Sequence, residues 1–207
     1  VPAVIVVQYE QDPETIIEQA AQRLRSGGVV IYPTDTLYGM GCDALNPQAI
    51  NRVYNIKKLN KRKPLSLLCS DLEQIAKYAH INEQAYTLLK RLLPGPYTFI
   101  LPATKLVPRV VVNKQRKVGI RVPNNEICLG IIRELGNPLM NTSADYETDE
   151  ELNEPELIKT YYRDADMLID CGPVELSQSS VIDLSGAAPT VIRYGKGDVE
   201  DALCIVD

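Results

Sequence analysis

Residues 29–41 read VVIYPTDTLYGMG. Val29–Tyr32 is a continuous, β-branched apolar run of the kind that forms a strand buried on both faces. Pro33 ends it. The polar stretch that follows, Tyr32–Gly41, therefore leaves the end of a buried strand, which is where open α/β sheets place their ligands. Thr34 and Thr36 offer hydroxyls, Asp35 a carboxylate, and Gly39 and Gly41 permit close backbone approach. The same residues equally suit an ordinary strand-to-helix turn that spends Thr and Asp on capping.

The segments on either side repeat this alternation. Upstream, Val4–Val7 is a short strand. Asp12-Pro13-Glu14 then opens a helix whose Ile16, Ile17, Ala20, Ala21 and Leu24 recur at helical spacing until Gly27-Gly28 stops it. Downstream, helices are expected from Asn46-Pro47 through Lys57, from a Ser70-Asp71 cap through Tyr78, over Asn82–Leu93 and over Ile127–Leu135. Strands are expected over 64–69, Tyr97–Leu101 and Val118–Val122, from Pro138, and over Met167–Asp170, Ser180–Leu184 and Thr190–Tyr194. Crossover helices imply parallel pairing, and the short links near the C-terminus imply antiparallel pairing. The pattern is α/β with a mixed sheet and flanking helices, one domain over residues 1–207. The acid-rich stretch Asp145–Pro155 is the least globular and is expected to be an exposed, mobile loop.

Composition narrows the function classes. Of 207 residues, 45% are apolar and 24% charged, which are globular proportions. The net charge of −5 excludes a globally basic nucleic-acid coat but leaves room for a local basic patch. No apolar run approaches the roughly 20 residues that span a bilayer, and the start is too short and uncharged for a secretory signal. The five cysteines lie at least 27 residues apart and form no CxxC pair, which argues against a disulfide framework or a cysteine-based metal site and for a reducing cytoplasm. His80 is the one histidine, so mechanisms needing two are excluded within one chain.

Four further stretches hold polar residues where chemistry is plausible. Arg52, Lys57, Lys58, Lys61, Arg62 and Lys63 fall within twelve residues that contain no acid. Such a patch suits phosphates or RNA, or a solvated helix end whose cations complement the dipole. In Val118-Gly119-Ile120-Arg121-Val122, strand alternation puts Arg121 opposite Ile120 and Val122. An arginine bracketed in this way is either an edge residue or a planar carboxylate binder. Met140–Asp145 is a small polar run at a strand end. Ser179-Ser180 and Arg193 are polar insertions in β-type runs. His80 has no acid or serine partner nearby in sequence and reads as structural or solvated.

In this order, the segments PTDTLYGMGCDA (33–44), IKK…KPLSLLC (56–69), LLPGPYTFIL (92–101), VGIRVP (118–123), NPLMNTSAD (137–145), SSVIDLSG and PTVIRYGKGDV (179–199) resemble the YrdC/YciO family, closest to the YciO branch. The resemblance covers almost the whole chain. It implies one twisted YrdC-like domain with a deep, basic, concave cavity. It also implies an activity related to L-threonylcarbamoyladenylate synthase, which joins L-threonine, bicarbonate and ATP and releases pyrophosphate. That product feeds the N6-threonylcarbamoyl modification of adenosine in tRNA, and members have been associated with tRNA and double-stranded RNA.

On that resemblance Thr34, Arg121, Thr142 and Ser180 hold the threonine, and Lys57, Ser143 and Arg193 hold the nucleotide. Lys58, Lys61, Arg62 and Lys63 form an RNA or phosphate patch. ATP and Mg²⁺ enter as substrate and ion; no tightly bound cofactor and no resident metal are expected. Two positions depart from the synthase pattern: Leu59 stands where a Lys-x-Arg pair has its arginine, and Asp145 where a Ser-x-Asn has its asparagine. Both weaken the case for ATP activation, since Leu59 cannot pair with phosphate and Asp145 adds a negative charge. An RNA- or ribosome-binding module without synthesis, and a hydrolase acting on the threonylcarbamoyl group of tRNA, are the other readings.

Overall fold

A computed structural model describes residues 4–8, 12–60, 65–144 and 153–203. Helices begin where a side chain meets the free N–H groups of the first turn. The Asp12 carboxylate accepts from Thr15 N–H at the start of α1 (Pro13–Arg25). Asn46 accepts from Gln48 and Ala49 at α2 (Pro47–Ile56). Asp71 caps α3 (Leu72–Tyr78), Asn82 caps α4 (Glu83–Leu92), and Asn125 caps α5 (Glu126–Leu135). Gly136, with φ of 81°, closes α5 in the left-handed conformation that favours glycine. Pro155, expected to end a loop, instead opens α6 (Pro155–Tyr161). A short α7 (Glu200–Leu203) follows the last strand.

Ten strands among the described residues form one sheet: β1 (Ile5–Gln8), β2 (Val30–Tyr32), β3 (Gly39–Asp43), β4 (Ser66–Leu68), β5 (Tyr97–Pro102), β6 (Lys117–Arg121), β7 (Leu139–Ser143), β8 (Met167–Asp170), β9 (Ser180–Asp183) and β10 (Thr190–Arg193). Their order is β1-β8-β2-β3-β7-β4-β6-β5-β9-β10. β1–β8, β2–β8, β4–β6 and β5–β9 pair in parallel. The other neighbours pair antiparallel, so the sheet is mixed.

Strand β3 departs from the sequence reading. Gly39–Asp43 does not continue a strand-to-helix turn: the chain reverses after Tyr32 and pairs back on β2, with Tyr32 opposite Gly39.

Two apolar clusters lie on the two faces of the sheet. On one, α2, α3, α4 and α6 bury residues such as Val53, Ile75, Leu89 and Ile158 against Leu67, Phe99 and Ile120. On the other, α1 and α5 bury Leu24, Ile131 and Ile132 against Val30, Leu68 and Leu139. Alternation carries the second face from Leu68 to Ser66 along β4 and from Leu139 to Asn141 and Ser143 along β7. That face is thus apolar where α1 and α5 cover it and turns polar farther along the same strands. No helix among the described residues is long and apolar enough to cross a membrane.

Candidate functional site

The polar part of that face is the floor of a cavity of about 400 Å³. Ser66, Thr98, Asn141 and Ser143 rise from it. The turn after β2 contributes Thr34 and Thr36, and Arg193 and Gln178 stand on the side of β9 and β10. Among the described residues, the charged ones lining it are Arg121 and Arg193.

Arg121 is the interior strand residue that alternation places opposite Ile120: β6 lies between β4 and β5, and only 7% of the Arg121 side chain is exposed. Its Nη1 donates to Thr36 Oγ1 at 2.8 Å. Its Nη2 is ion-paired to Asp35 Oδ1, and that carboxylate is only 12% exposed. Nε of Arg121 and Oδ2 of Asp35 are both buried and without a hydrogen-bond partner.

The turn that carries Asp35 is tied by its own hydroxyls. Thr34 Oγ1 donates to the Leu37 carbonyl at 2.6 Å and accepts the Thr36 N–H at 3.1 Å. Its proton is thereby used, so the 3.0 Å contact between the two hydroxyls is donated by Thr36. The chain of donation runs from Arg121 through Thr36 and Thr34 to Leu37. Thr34 lines the cavity with its hydroxyl already engaged three times.

Gly39 lines the cavity, and it and Gly41 both have a further purpose besides the expected backbone approach to a ligand. A Cβ on Gly39 would lie 2.6 Å from the Tyr32 ring, and one on Gly41 would lie 2.5 Å from the Tyr32 hydroxyl. The glycines clear a path for that ring, whose hydroxyl reaches Asn141 Oδ1 at 2.8 Å. Asn141 Nδ2 passes the connection to Ser66 Oγ at 3.3 Å. Burial pushes the Tyr32 phenol well above its usual pKa, with Cys128 and Cys42 adding to the effect and Arg121 opposing it, so the phenol is a neutral donor. Burial likewise raises the Cys128 thiol to about 12 and also raises Cys42, Cys69 and Cys171. None of these four is a ready thiolate nucleophile.

The structure brings Thr34, Arg121, Thr142, Ser143 and Arg193 together around the cavity. Ser180 and Lys57 are not among the lining residues. Ser180 is fully buried; its hydroxyl donates to the Gly197 carbonyl at 2.6 Å and accepts the Gly195 N–H at 3.0 Å. The neighbouring Ser179 faces the cavity instead, bonded to Thr98 Oγ1 at 2.9 Å, while Arg193 Nε and Nη2 hold its carbonyl at 3.0 and 2.8 Å. Lys57 is buried at the end of α2, with Nζ 3.0 Å from the Tyr162 hydroxyl and 5.1 Å from the centre of its ring. Lys58 is exposed, with φ of 50°. Lys61, Arg62, Lys63 and Asp145 lie outside the described residues, as does most of the acid-rich stretch. Asn141 and Ser179 fall in stretches that the sequence singled out, without a role of their own; Ser66 and Thr98 are the residues that sequence reasoning missed. Ser66 carried a signal, a polar residue two positions from the buried Leu68 on the same strand, and Thr98 one, a polar residue between the buried Tyr97 and Phe99.

Residues 22–195 match the family model Sua5_yciO_yrdC (“Telomere recombination”). The chain belongs to the Sua5/YciO/YrdC family. It is 37% identical to YciO of Escherichia coli over 200 residues, 95% of this chain and 97% of that protein. The crystal structure of E. coli YciO superposes with a TM-score of 0.89, covering 98% of this chain and 100% of the other. A threonylcarbamoyl-AMP synthase of Chromobacterium violaceum is 34% identical over 148 residues, 71% of this chain and 77% of that enzyme. The crystal structure of Pyrococcus abyssi Sua5 complexed with L-threonine superposes with a TM-score of 0.89 at 32% identity. That match covers 97% of this chain but only 59% of that protein, so this Sua5/YciO/YrdC chain spans part of its length.

Proposed function

We propose that the cavity binds L-threonine through Arg121, takes bicarbonate and Mg-ATP beside it, and forms threonylcarbamoyl-AMP with release of pyrophosphate at a slow rate. The observation that carries this reading is Arg121, a guanidinium that is buried and yet forms part of a polar cavity wall. Planar, bidentate recognition of a carboxylate is what such a group does best. Relatives named threonylcarbamoyl-AMP synthase, and a related Sua5 complexed with L-threonine, support the choice of amino acid. Arg193 supplies positive charge on the side of β10, suited to the phosphates. No covalent nucleophile is required, because positioning and cationic stabilisation of the α-phosphate serve adenylyl transfer. Mg²⁺ arrives with the nucleotide as part of the substrate.

Among the described residues, the phosphate side is thinly provided. Leu59 packs against the apolar core, so it offers no cation, and the Lys57 ammonium is engaged with Tyr162. This favours slow synthesis and supports a second reading, in which the chain binds tRNA or double-stranded RNA through Lys58, Lys61, Arg62 and Lys63. Calorimetric titration with L-threonine, ATP and tRNA separately, at stated salt, tests both readings. Threonine binding that Arg121→Ala abolishes supports the first. Absence of any threonine heat from the parent overturns it. The second falls if tRNA affinity and its salt dependence are unchanged when Lys61, Arg62 and Lys63 are reversed to Glu.

A further inference from the structure

We propose that Asp35 is a positioning and specificity residue: it clamps the inner edge of the Arg121 guanidinium and makes the cavity favour carboxylates that carry an α-ammonium group. This inference rests on the threonine reading above and goes beyond it.

Arg121 lines the cavity and Asp35 does not, so the carboxylate stands behind the guanidinium. Both groups are close to fully buried, and each is the other's counter-ion. Among the described residues, the two buried side-chain polar atoms that lack partners, Asp35 Oδ2 and Arg121 Nε, belong to this one pair. A rotation that brought Oδ2 to Nε would satisfy both at once and turn the single Nη2 contact into a two-point pairing along the Nε–Nη2 edge. Thr36 holds Nη1 from the turn. A guanidinium fixed on that inner edge presents its remaining N–H groups to the cavity in one orientation.

The electrostatic consequence concerns ligand charge. The pair is neutral as a unit. A ligand with a carboxylate alone brings a third, uncompensated charge close to Asp35 in a poorly screened site. An α-amino acid brings its own cation next to its carboxylate, within reach of the Asp35 field, and keeps the assembly neutral. The expected preference is on the order of 10–100-fold in affinity. Arg193 lines the same cavity and attracts the net-negative hydroxy acid more than the zwitterion, so it works against this difference, and the change on removing the Asp35 charge isolates the contribution of Asp35.

The test compares L-threonine with (2S,3R)-2,3-dihydroxybutanoate, in which a hydroxyl replaces the α-ammonium group. In the parent, threonine binds about 10–100-fold more tightly. Equal affinities overturn the specificity role without any variant. In Asp35→Asn, which keeps an acceptor but no charge, the ratio shrinks and the hydroxy acid gains affinity; an unchanged ratio overturns the proposal. In Asp35→Ala both ligands weaken, because Arg121 is no longer held. The guanidinium ¹⁵N spectrum supplies a readout that needs no ligand. The Arg121 Nε–H signal is slow to exchange in the parent, persists in Asp35→Asn and is lost in Asp35→Ala. If it is the same in Asp35→Ala as in the parent, the clamp is refuted. If the parent binds no threonine, the functional reading fails, and this signal still decides where Asp35 acts.

Discussion

The hydroxyl of Tyr32 on β2 donates to Oδ1 of Asn141 on β7 at 2.8 Å, across the whole width of β3. The intervening strand allows it because Gly39 pairs with Tyr32 and Gly41 pairs with Asn141, and neither carries a side chain to obstruct the ring. With Asn141 bonded onward to Ser66 on β4, one file of side chains from β2, β7 and β4 spans four neighbouring strands beneath the cavity. The floor is therefore preorganised, and a ligand bound on it loses little to rearrangement.

Gly41→Ala should break this file. The new methyl would sit 2.5 Å from both the Tyr32 hydroxyl and the Met140 carbonyl, and the backbone oxygen has little room to move. Overpacking of this kind costs about 1–3 kcal/mol. Chemical denaturation should show the loss at unchanged slope, whereas equal midpoints would mean that the ring finds another path.

Arg121→Ala should weaken L-threonine binding by about 2–5 kcal/mol, because it also leaves the Asp35 carboxylate buried without its counter-ion. Arg121→Lys should recover little of this, since an ammonium cannot reproduce a planar two-point contact. Calorimetry on the three proteins measures it. Parent-like affinity in the lysine variant would show that charge alone matters.

Asp71 gives a pH-dependent contribution to stability. Burial alone would push its carboxyl up, but hydrogen bonds from Gln74 N–H and the Ser70 hydroxyl outweigh it and hold the group below its ordinary value of 3.8. A carboxyl depressed on folding stabilises fully above its unfolded value and stops doing so as the pH falls through its folded value. Asp71→Ala should therefore cost about 1 kcal/mol at neutral pH, as cap removal does, and progressively less below about pH 4. A difference between parent and variant that stays constant from neutral to strongly acid pH would contradict this assignment.

Pyrophosphate release with threonine, bicarbonate and Mg-ATP should run about 10²–10⁴-fold below that of a relative with the Lys-x-Arg pair. Leu59→Arg combined with Asp145→Asn should raise it. Because Leu59 packs against the core, the same change should lower the melting temperature, so activity and stability move in opposite directions. Full activity in the parent would mean that another cation already fills the place of the arginine.

The long helices and buried strands were legible because their caps and apolar spacing are local signals. Asp12, Asn46, Asp71 and Asn82 each sit where their helix begins. Strand β3 was not legible, because two glycines in five residues suit a ligand-binding loop or a strand-to-helix turn equally well, whereas here they also admit a side chain from another strand. The opening of α6 was hidden by the acidic run before it. At the site, Arg121 and Thr34 stood out by type and position, whereas Ser179 and Ser180 differ only in which way the strand turns them. That is a one-residue question of register, which adjacent serines cannot answer. The engagement of Arg121 by Asp35 depends on strands far apart in sequence and leaves no local trace.

That last pair joins residues 86 positions apart in the chain, on segments flanking three intervening strands. No hairpin or single crossover can bring them together; β3, β7 and β4 must all take their register first. Long-range closures of this kind are the slow events of folding, since chain entropy is lost before the contact repays it. The ion pair should thus be among the last contacts to form, and a chain with its local structure made but its sheet unassembled has no site. A ligand that binds through Arg121 selects the completed fold alone and stabilises it by mass action.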